Sequence, residues 1–232
     1  MDKELSLAVV VPTLNEERAI LACLASIGPV PTVVSDGGSR DRTLDVVRIH
    51  APHAVVVQGP PGRGPQLARG VAALSAQAYL FLHADCRLPP GCLPAVQATL
   101  ADPTVALGCF RLHTDPPGPG PHRTLMRLWY RLLDLRSFGL GLPYGDQAFF
   151  LRRETLEKAG GVPHVPLMED LELARRCRRL GRIVRVPLPV RTTGRRFGQR
   201  PVRARLATLT FPWLYRFGVS PQRLARWYGE PR

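Results

Sequence analysis

Three aspartates stand where apolar segments of the sequence begin or end. Asp36 and Asp85 each follow a short apolar run, and Asp170 stands at the start of a helical pattern. A carboxylate can hold a divalent cation, accept a proton from a hydroxyl group or accept hydrogen bonds from a ribose. Because open α/β sheets bind ligands at the carboxyl ends of their strands, we expect the three side chains to converge at one edge of one sheet.

Asp85 follows the apolar run of residues 79–82, which predicts a buried strand. Its carboxylate is a candidate ligand for Mg²⁺, which takes one or two protein carboxylates together with substrate phosphates. His83 lies two residues earlier, on the same face of the predicted strand, and an imidazole suits Mn²⁺ better than Mg²⁺. The competing interpretations are a carboxylate that caps the next loop and a hydrogen-bonded core histidine.

Asp170 is placed to act as a general base. The helix predicted over residues 168–180 carries an apolar stripe, and Asp170 lies one turn before that stripe, on the inward face. Glu169 and Glu172 are predicted to point outward, with Glu172 paired to Arg176. A carboxylate at the top of a buried stripe can take a proton from an acceptor group. The alternative is that these acids only complement the helix dipole.

Asp36 lies in a Ser-Asp-Gly-Gly-Ser turn. There it can accept hydrogen bonds from a ribose or a base edge, and the glycines let a ligand approach the backbone. The alternative is the acidic residue of an Asx-turn. Arg63, Arg195 and Arg196 are predicted to lie in loops, where they could neutralise a diphosphate.

The elements that must position these side chains alternate between strands and helices in the first half of the chain. The pattern predicts strands near residues 7–11, 32–34, 54–57 and 79–82, and helices near residues 13–27, 41–49 and 66–76. This alternation favours an α/β fold with a mostly parallel sheet and helices on both faces. In the second half we expect helices near residues 91–100, 124–138 and 168–180 and after residue 201, and strands near residues 105–112, 148–151, 183–186 and 190–193.

We expect one domain over residues 1–200 and a basic, aromatic helical extension over residues 201–232 that packs on or beside it. The chain has 232 residues and a formal net charge of +14, and nearly all of its basic residues are arginine. Such a charge favours contact with phosphates, nucleic acid or an anionic membrane, although arginine-rich solvated faces give the same total.

Five cysteines are scattered without a Cys-x-x-Cys pair, which indicates buried thiols in a reducing compartment. There is no N-terminal signal pattern and no apolar stretch of roughly 18 residues. We therefore expect a cytoplasmic protein with no transmembrane segment.

Four motifs occur in order along the chain. They are Val-Val-Val-Pro-Thr-Leu-Asn-Glu at residues 9–16, Val-Ser-Asp-Gly-Gly-Ser-Arg-Asp at residues 34–41, Phe-Leu-His-Ala-Asp at residues 81–85 and Met-Glu-Asp at residues 168–170. Together they resemble the family-2 glycosyltransferases of the GT-A fold. Three further segments, at residues 62–66, 142–147 and 166–170, are similar to a short soluble branch of that family, the selenodomain-associated transferase 2 group.

The resemblance implies an inverting, non-processive sugar transfer from a nucleotide-diphosphate sugar, assisted by Mg²⁺ or Mn²⁺. It makes Asp170 the base, with Glu169 beside it. It makes Asp85 the last acid of the metal-binding Asp-x-Asp motif, with His83 as a further candidate ligand. The residues expected to line the nucleotide-sugar pocket are Pro12, Asn15, Glu16, Asp36, Gly37, Arg63, Gln66, Ala84, Asp146, Gln147, Arg195 and Arg196.

Three departures from the family pattern bear on these expectations. His83 stands where the family has the first acid of Asp-x-Asp, and Ala68 stands where many relatives carry Asn. The Gln-x-x-Arg-Trp motif of processive members is absent, which argues against a polysaccharide synthase.

Two rival functions are open from the residues alone. A nucleotidyltransferase acting on sugar phosphates is expected to show a Gly-rich phosphate loop with a lysine, which residues 12–16 lack. A non-enzymatic basic module that binds nucleic acid is permitted by Trp213, Tyr215 and Trp227 near arginines, but we expect no nucleic-acid partner. The acceptor is not identified. The same tail favours an anionic or lipid-phosphate acceptor and peripheral contact with the inner face of an anionic membrane.

Overall fold

The computed structural model describes residues 4–115, 124, 142–193 and 210–228. Its strands are β1 (Leu7–Thr13), β2 (Thr32–Asp36), β3 (Val55–Gln58), β4 (Ala78–Phe81), β5 (Cys86–Arg87), β6 (Val105–Asp115), β7 (Phe150–Arg152) and β8 (Arg182–Thr193). Its α-helices are α1 (Ile20–Ile27), α2 (Thr43–His50), α3 (Arg63–Ala73), α4 (Cys92–Ala101), α5 (Arg153–Lys158), α6 (Glu169–Arg178) and α7 (Pro221–Tyr228), with a 3₁₀ turn at Gly145–Gln147. Residues 210–216 are also helical. Apart from Thr124, which is helical, the helix predicted over residues 124–138 lies outside the described residues, and so do Arg195 and Arg196.

The eight strands of the described residues form one sheet in the order β3-β2-β1-β4-β7-β6-β8-β5. The first four in this order, β3, β2, β1 and β4, are parallel to one another. Beyond them β7 is antiparallel to β4 and β6, β8 is parallel to β6, and β5 is antiparallel to β8. The predicted α/β class, with a mostly parallel sheet, is confirmed.

The residues of β1 alternate between two layers of the core. Val9 packs in the same layer as Ile20 of α1, whereas Val10 packs in the same layer as Leu67 of α3. This alternation follows from the two-residue period of a strand, and burial on both faces explains why β1 is continuously apolar. The apolar stripe of α6 joins the second layer, so α3 and α6 cover the same face of the sheet.

Helix α3 lies close against β1 because Gly70 carries no side chain. A Cβ at this position would lie 2.2 Å from Cγ1 of Val10, which is a steric clash between non-bonded carbon atoms. The contact fixes the height of α3 over the sheet and thereby the position of its first turn, which faces the carboxyl edge.

The first predicted helix begins later than expected. It starts at Ile20 rather than near residue 13, and Asn15 has a left-handed backbone with φ of 54°. The reason is that side chains of the next loop satisfy the backbone N–H groups of residues 15–17, so that this segment folds as a loop instead of a first helical turn.

Three further expectations are corrected. Arg63 lies in the first turn of α3 rather than in a loop. The strand predicted near residues 79–82 ends at Phe81, so His83 and Asp85 lie in the turn that follows it and do not share a strand face. The two strands predicted near residues 183–186 and 190–193 form one strand, β8, which follows the long β6 past an irregularity in register between Phe110 and Arg111.

The described C-terminal residues are helical, as expected after residue 201. Leu224 of α7 is fully buried, whereas Trp213, Phe217 and Trp227 are exposed. Peripheral contact of this segment with an anionic membrane stays a prediction. No helix in the described part of the chain combines the length and apolar character needed to cross a membrane.

Candidate active site

Asp36 ends β2 at the carboxyl edge of the sheet, level with Thr13 of β1. Its carboxylate is fully buried and accepts hydrogen bonds from the backbone N–H groups of Gly38, at 2.8 Å, and Ser39, at 2.9 Å. The Ser39 hydroxyl donates to its other oxygen. The carboxylate therefore builds the turn, as in the Asx-turn alternative, and any contact with a nucleotide stays a prediction.

The loop after β1 is braced by the loop after β2. Ser39 Oγ accepts a hydrogen bond from the N–H of Asn15 at 2.9 Å, and Thr43 Oγ1 accepts one from the N–H of Glu16 at 2.8 Å. In return, the N–H of Arg40 donates to Oδ1 of Asn15 at 2.8 Å. These reciprocal bonds fix the two loops relative to each other, with Asn15 exposed and Glu16 half-buried at the edge.

Gln66 of α3 links the ends of β1 and β2. Its Nε2 donates to the carbonyl oxygens of Thr13 and Ser35, both at 2.8 Å, and its Oε1 accepts from the N–H of Gly62 at 3.2 Å. The side chain is buried, and a Cβ on Gly37 would lie 3.2 Å from it. Gln66 thus braces the expected nucleotide pocket, and a side chain at Gly37 would crowd it.

Asp170 and His83 meet at Gly145, which begins the 3₁₀ turn. The N–H of Gly145 donates to Oδ2 of Asp170 at 2.8 Å, and the N–H of Leu171 donates to Oδ1 at 2.8 Å. A Cβ on Gly145 would lie 3.2 Å from Oδ2 of Asp170 and 3.3 Å from Nε2 of His83. A side chain at residue 145 would therefore crowd both the carboxylate and the imidazole.

Asp85 reaches the same segment through Cys86. Sγ of Cys86 lies 3.8 Å from Oδ1 of Asp85 and 3.8 Å from the carbonyl oxygen of Asp146. Burial, reinforced by the negative charge of Asp85, raises the pKa of the Cys86 thiol well above its usual range, so this sulfur stays protonated. Asp85 and Asp170, which are distant in sequence, are therefore both adjacent to residues 145–146.

The first turn of α3 connects the two sides of the site. Gln66 contacts the β1 and β2 ends, while Nη1 of Arg63 lies 3.7 Å from Oε1 of Glu169 on α6. A Cβ on Gly64 would lie 2.2 Å from the carbonyl oxygen of Pro163, so the absence of a side chain lets α3 pack over the start of α6. The first turn of α3 therefore contacts the end of β2 through Gln66 and Glu169, the neighbour of Asp170, through Arg63, while the convergence of all three aspartates in one cavity stays a prediction.

Glu169 is buried, in contrast to the predicted outward orientation, because the start of α3 covers it. Burial raises the pKa of Glu169 to about 7, the adjacent charge of Asp170 adds to the rise, and Arg63 opposes it. A carboxyl group of this kind exchanges its proton near neutral pH.

Glu172 is also buried rather than outward-facing. It accepts hydrogen bonds from Nε of Arg176 at 2.8 Å, which confirms the predicted pair, and from Arg175 at 3.0 Å and 3.1 Å. The Tyr215 hydroxyl donates to it from the C-terminal helical segment. Burial raises the pKa of Glu172, but the hydrogen bonds from Arg175, Tyr215 and Arg176 outweigh burial and bring the value to about 2.

A family model described as "Glycosyl transferase family 2" matches residues 8–160. The chain belongs to glycosyl transferase family 2. This membership confirms the resemblance carried by the four motifs and favours sugar transfer over the two rival functions.

Curated relatives of this family-2 glycosyltransferase come from mycobacteria. The PGL/p-HBAD biosynthesis glycosyltransferase of Mycobacterium tuberculosis is 35% identical over 88 residues, which are 34% of each chain. An uncharacterized glycosyltransferase of the same organism is 35% identical over 96 residues, 41% of this chain and 44% of that one. The chain thus spans about a third of the first relative and less than half of the second.

Solved structures share the fold over most of the chain. The mannosyltransferase PcManGT from Pyrobaculum calidifontis, in complex with GDP-Man and Mn²⁺, has a TM-score of 0.69 at 20% identity and covers 98% of this chain and 69% of that one. Glucosyl-3-phosphoglycerate synthase from Mycobacterium tuberculosis, in complex with Mn²⁺, UDP and glucosyl-3-phosphoglycerate, has a TM-score of 0.60 at 25% identity and covers 89% and 79%. The GT-A fold of this family-2 glycosyltransferase is confirmed.

The remaining predicted residues lie near the same edge. Pro12 is buried in β1, Ala84 is buried in the turn after β4, and Gln147 is buried with its Oε1 accepting the N–H of Tyr144 at 2.9 Å. Asp146 is half-buried beside Cys86.

Sequence reasoning missed two residues of this site as structural determinants. Gly145 lies inside the segment of residues 142–147 that carries part of the family resemblance, and that resemblance is the signal that could have pointed to it. Cys86 follows Asp85 directly, but nothing in the sequence shows that its sulfur contacts residue 146.

Proposed function

We propose that this family-2 glycosyltransferase moves a sugar, with inversion, from a nucleotide-diphosphate sugar to an acceptor hydroxyl or phosphate group, with Asp170 as general base. The observation that carries the proposal is the position of the Asp170 carboxylate. Two backbone N–H groups, of Gly145 and Leu171, hold this carboxylate. His83 also approaches Gly145, and Cys86, the neighbour of Asp85, contacts the carbonyl oxygen of Asp146. Family membership and the shared GT-A fold support sugar transfer as the reaction class.

The donor would lie across the carboxyl edge of the parallel strands. Pro12, Asn15, Glu16 and Asp36 would line the nucleoside side, and Gln66 would act as a positioning residue, because its amide is engaged with Thr13, Ser35 and Gly62. The Arg63 guanidinium, at the start of α3, would lie towards the diphosphate. Solved relatives bind GDP-Man or UDP together with Mn²⁺, which supports a donor of this kind.

The residues around Asp85 fit a divalent cation that shares its coordination with the donor. Among the described residues, no group of three or more His, Cys, Asp and Glu side chains is arranged to hold a metal ion. Asp85, with His83 as a second candidate, would hold a cation that completes its coordination with donor phosphates and water. A cation bound there would neutralise negative charge that develops on the leaving diphosphate.

The hydrogen bonds of Asp170 leave it able to accept a proton. Each carboxylate oxygen has two lone-pair sites, and the backbone N–H groups of Gly145 and Leu171 occupy one on each oxygen. In the proposed step, Asp170 takes the proton from the acceptor hydroxyl as its oxygen bonds to the anomeric carbon. The bond from that carbon to the diphosphate oxygen breaks on the opposite side, so a single displacement inverts the configuration.

The test is Asp170→Asn, which keeps the shape of the side chain but removes its basicity. We expect turnover to fall by about a thousandfold or more, while the dissociation constant for the donor nucleotide with Mn²⁺ stays near that of the wild type. Asp45→Asn, on the exposed surface of α2, is the matched control and should leave turnover unchanged. Near-wild-type turnover of Asp170→Asn, or a product that retains the donor's anomeric configuration, would refute the mechanism.

A further inference from the structure

A cavity of about 410 Å³ lies between the start of α6 and the C-terminal helical residues. Its apolar wall comes from Leu142, Leu171, Pro212 and Val219. Cavities that bind small molecules in proteins commonly have volumes of roughly 300–1,000 Å³ and apolar linings with a few polar groups. This one is large enough for a ligand with an apolar portion.

Two residues of the cavity lining belong to the segments that hold Asp170. These residues are Tyr144 and Leu171. Tyr144 precedes Gly145, whose N–H donates to Oδ2 of Asp170. Leu171 itself donates its N–H to Oδ1 of Asp170. A molecule seated in the cavity would therefore lie beside the two segments that hold the proposed base.

The polar part of the lining is cationic. Arg175 and Arg216 both line the cavity, and the side chain of Arg175 is 50% exposed. Glu172 pairs with both Arg175 and Arg176, so one negative charge faces two positive charges. Arg216 adds a third positive charge at the cavity. A guanidinium carries five N–H donors, and pairing with one carboxylate does not exhaust them. The cavity thus combines an apolar wall with an excess of positive charge.

We propose that this cavity binds the acceptor and that the acceptor is an amphipathic phosphate, an apolar group joined to a phosphate ester. The apolar group would fill the space beside Leu142 and Val219, and the phosphate would meet Arg175 and Arg216. This inference rests on the proposed function, since it assigns the second substrate of the reaction for which Asp170 is the base.

Octyl phosphate, below its micelle-forming concentration, is the probe, with binding to the full chain measured by calorimetry. Glycerol 3-phosphate supplies the phosphate without the long apolar group, and 1-octanol supplies the apolar group alone. We expect octyl phosphate to bind at least about tenfold more tightly than either. Equal binding of glycerol 3-phosphate would identify a small free phosphate as the ligand and overturn the amphipathic assignment.

Two variants localise the binding. Val219→Trp fills the cavity and should abolish octyl phosphate binding, and Arg216→Glu reverses a lining charge and should weaken it by about tenfold or more. The matched controls are Val56→Trp on the exposed edge strand β3 and Arg223→Glu on α7, which should bind the probe as the wild type does.

The outcomes separate the inference from the proposed function. Octyl phosphate binding that survives Arg216→Glu and Val219→Trp overturns the inference. If Val219→Trp fails to fold, Arg216→Glu decides alone, since its side chain is exposed. Binding of UDP or GDP with Mn²⁺ should be the same in all four variants. Failure of the wild type to bind any nucleotide would instead count against the proposed function.

Discussion

On one side of the candidate site, the loops after β1 and β2 hold each other through side chains that bind backbone N–H and carbonyl groups. On the other side, α6 is held by carboxylates that meet distant segments: Glu169 lies near the Arg63 guanidinium of α3, and Glu172 accepts a hydrogen bond from the Tyr215 hydroxyl. The first arrangement relies largely on hydroxyl, amide and backbone groups, which carry no charge at any ordinary pH. The second contains Glu169, whose pKa is raised to about 7. We infer that the nucleotide side is fixed over a wide pH range and the base side responds to pH.

The largest effect is expected on the first side, from Gln66→Leu. The substitution removes three hydrogen bonds, to the buried carbonyl oxygens of Thr13 and Ser35 and to the N–H of Gly62, and of these acceptors Thr13 keeps the N–H of Gly37, so the free energy of unfolding should fall by about 3–5 kcal/mol. Urea unfolding followed by circular dichroism measures the loss. Gln77→Leu is the matched control, because its exposed amide accepts one hydrogen bond from the N–H of Ser6 and should cost less than about 1 kcal/mol. Equal losses in the two variants would show that Gln66 does not brace the strand ends.

The second prediction concerns pH and α6. The pKa of Glu169 is about 7 in the folded chain against 4.5 as its ordinary value, so the folded state binds the proton more tightly. The stability that this group contributes is therefore full below about pH 4.5 and is lost as pH rises through about 7. Because Glu169→Gln is always neutral, its unfolding free energy relative to the wild type should rise by roughly 3 kcal/mol across that window.

Denaturant unfolding at about pH 5 and about pH 8 measures this difference. Glu172→Gln is the control from the same helix. The pKa of Glu172 is held at about 2, so the stability it contributes is lost only as pH falls through that value, and its variant should show no such slope above about pH 5. If the unfolding free energy of Glu169→Gln relative to the wild type were the same at both pH values, the contrast between the two sides would be lost.

The smallest effect is expected from Tyr215→Phe, which removes the hydroxyl that binds Glu172. Loss of a hydrogen bond to a charged group should lower the free energy of unfolding by about 1–2 kcal/mol, with donor binding unchanged. A double-mutant cycle with Glu172→Gln isolates the pair, and the cost of Tyr215→Phe should shrink in that background. An unchanged cost would show that the tyrosine stabilises the chain by packing alone.

The same contrast explains how far the sequence predicts the site. The aspartates after β2 and β4 are found at the carboxyl edge because a strand followed by a polar turn is a local pattern. The start of α1 is predicted wrongly because the partners of residues 15–17 are Ser39, Thr43 and Asp41, more than 20 positions away. Helical signals near Asn15 cannot reveal a competing loop that lies elsewhere in the chain.

On α6, the sequence predicts the helix, its apolar stripe and the pair between Glu172 and Arg176, and the structure confirms all three. The outward orientation of Glu169 and Glu172 is wrong. Helical periodicity assigns a residue to a face of its own helix, but α3 and the C-terminal segment cover the face that the pattern marks as solvent.

By itself the sequence determined the α/β class, the parallel direction of the first strands and the motif positions at their ends, because two-residue and 3.6-residue periods and turn chemistry are properties of short segments. Only the tertiary structure decided that a side chain at residue 145 would crowd Asp170 and His83, that Glu169 lies buried beside Arg63, and that a cavity lined by Arg175 and Arg216 opens beside Tyr144 and Leu171. These features depend on which distant segments come into contact, and burial and charge environment are properties of that contact rather than of any one stretch of chain.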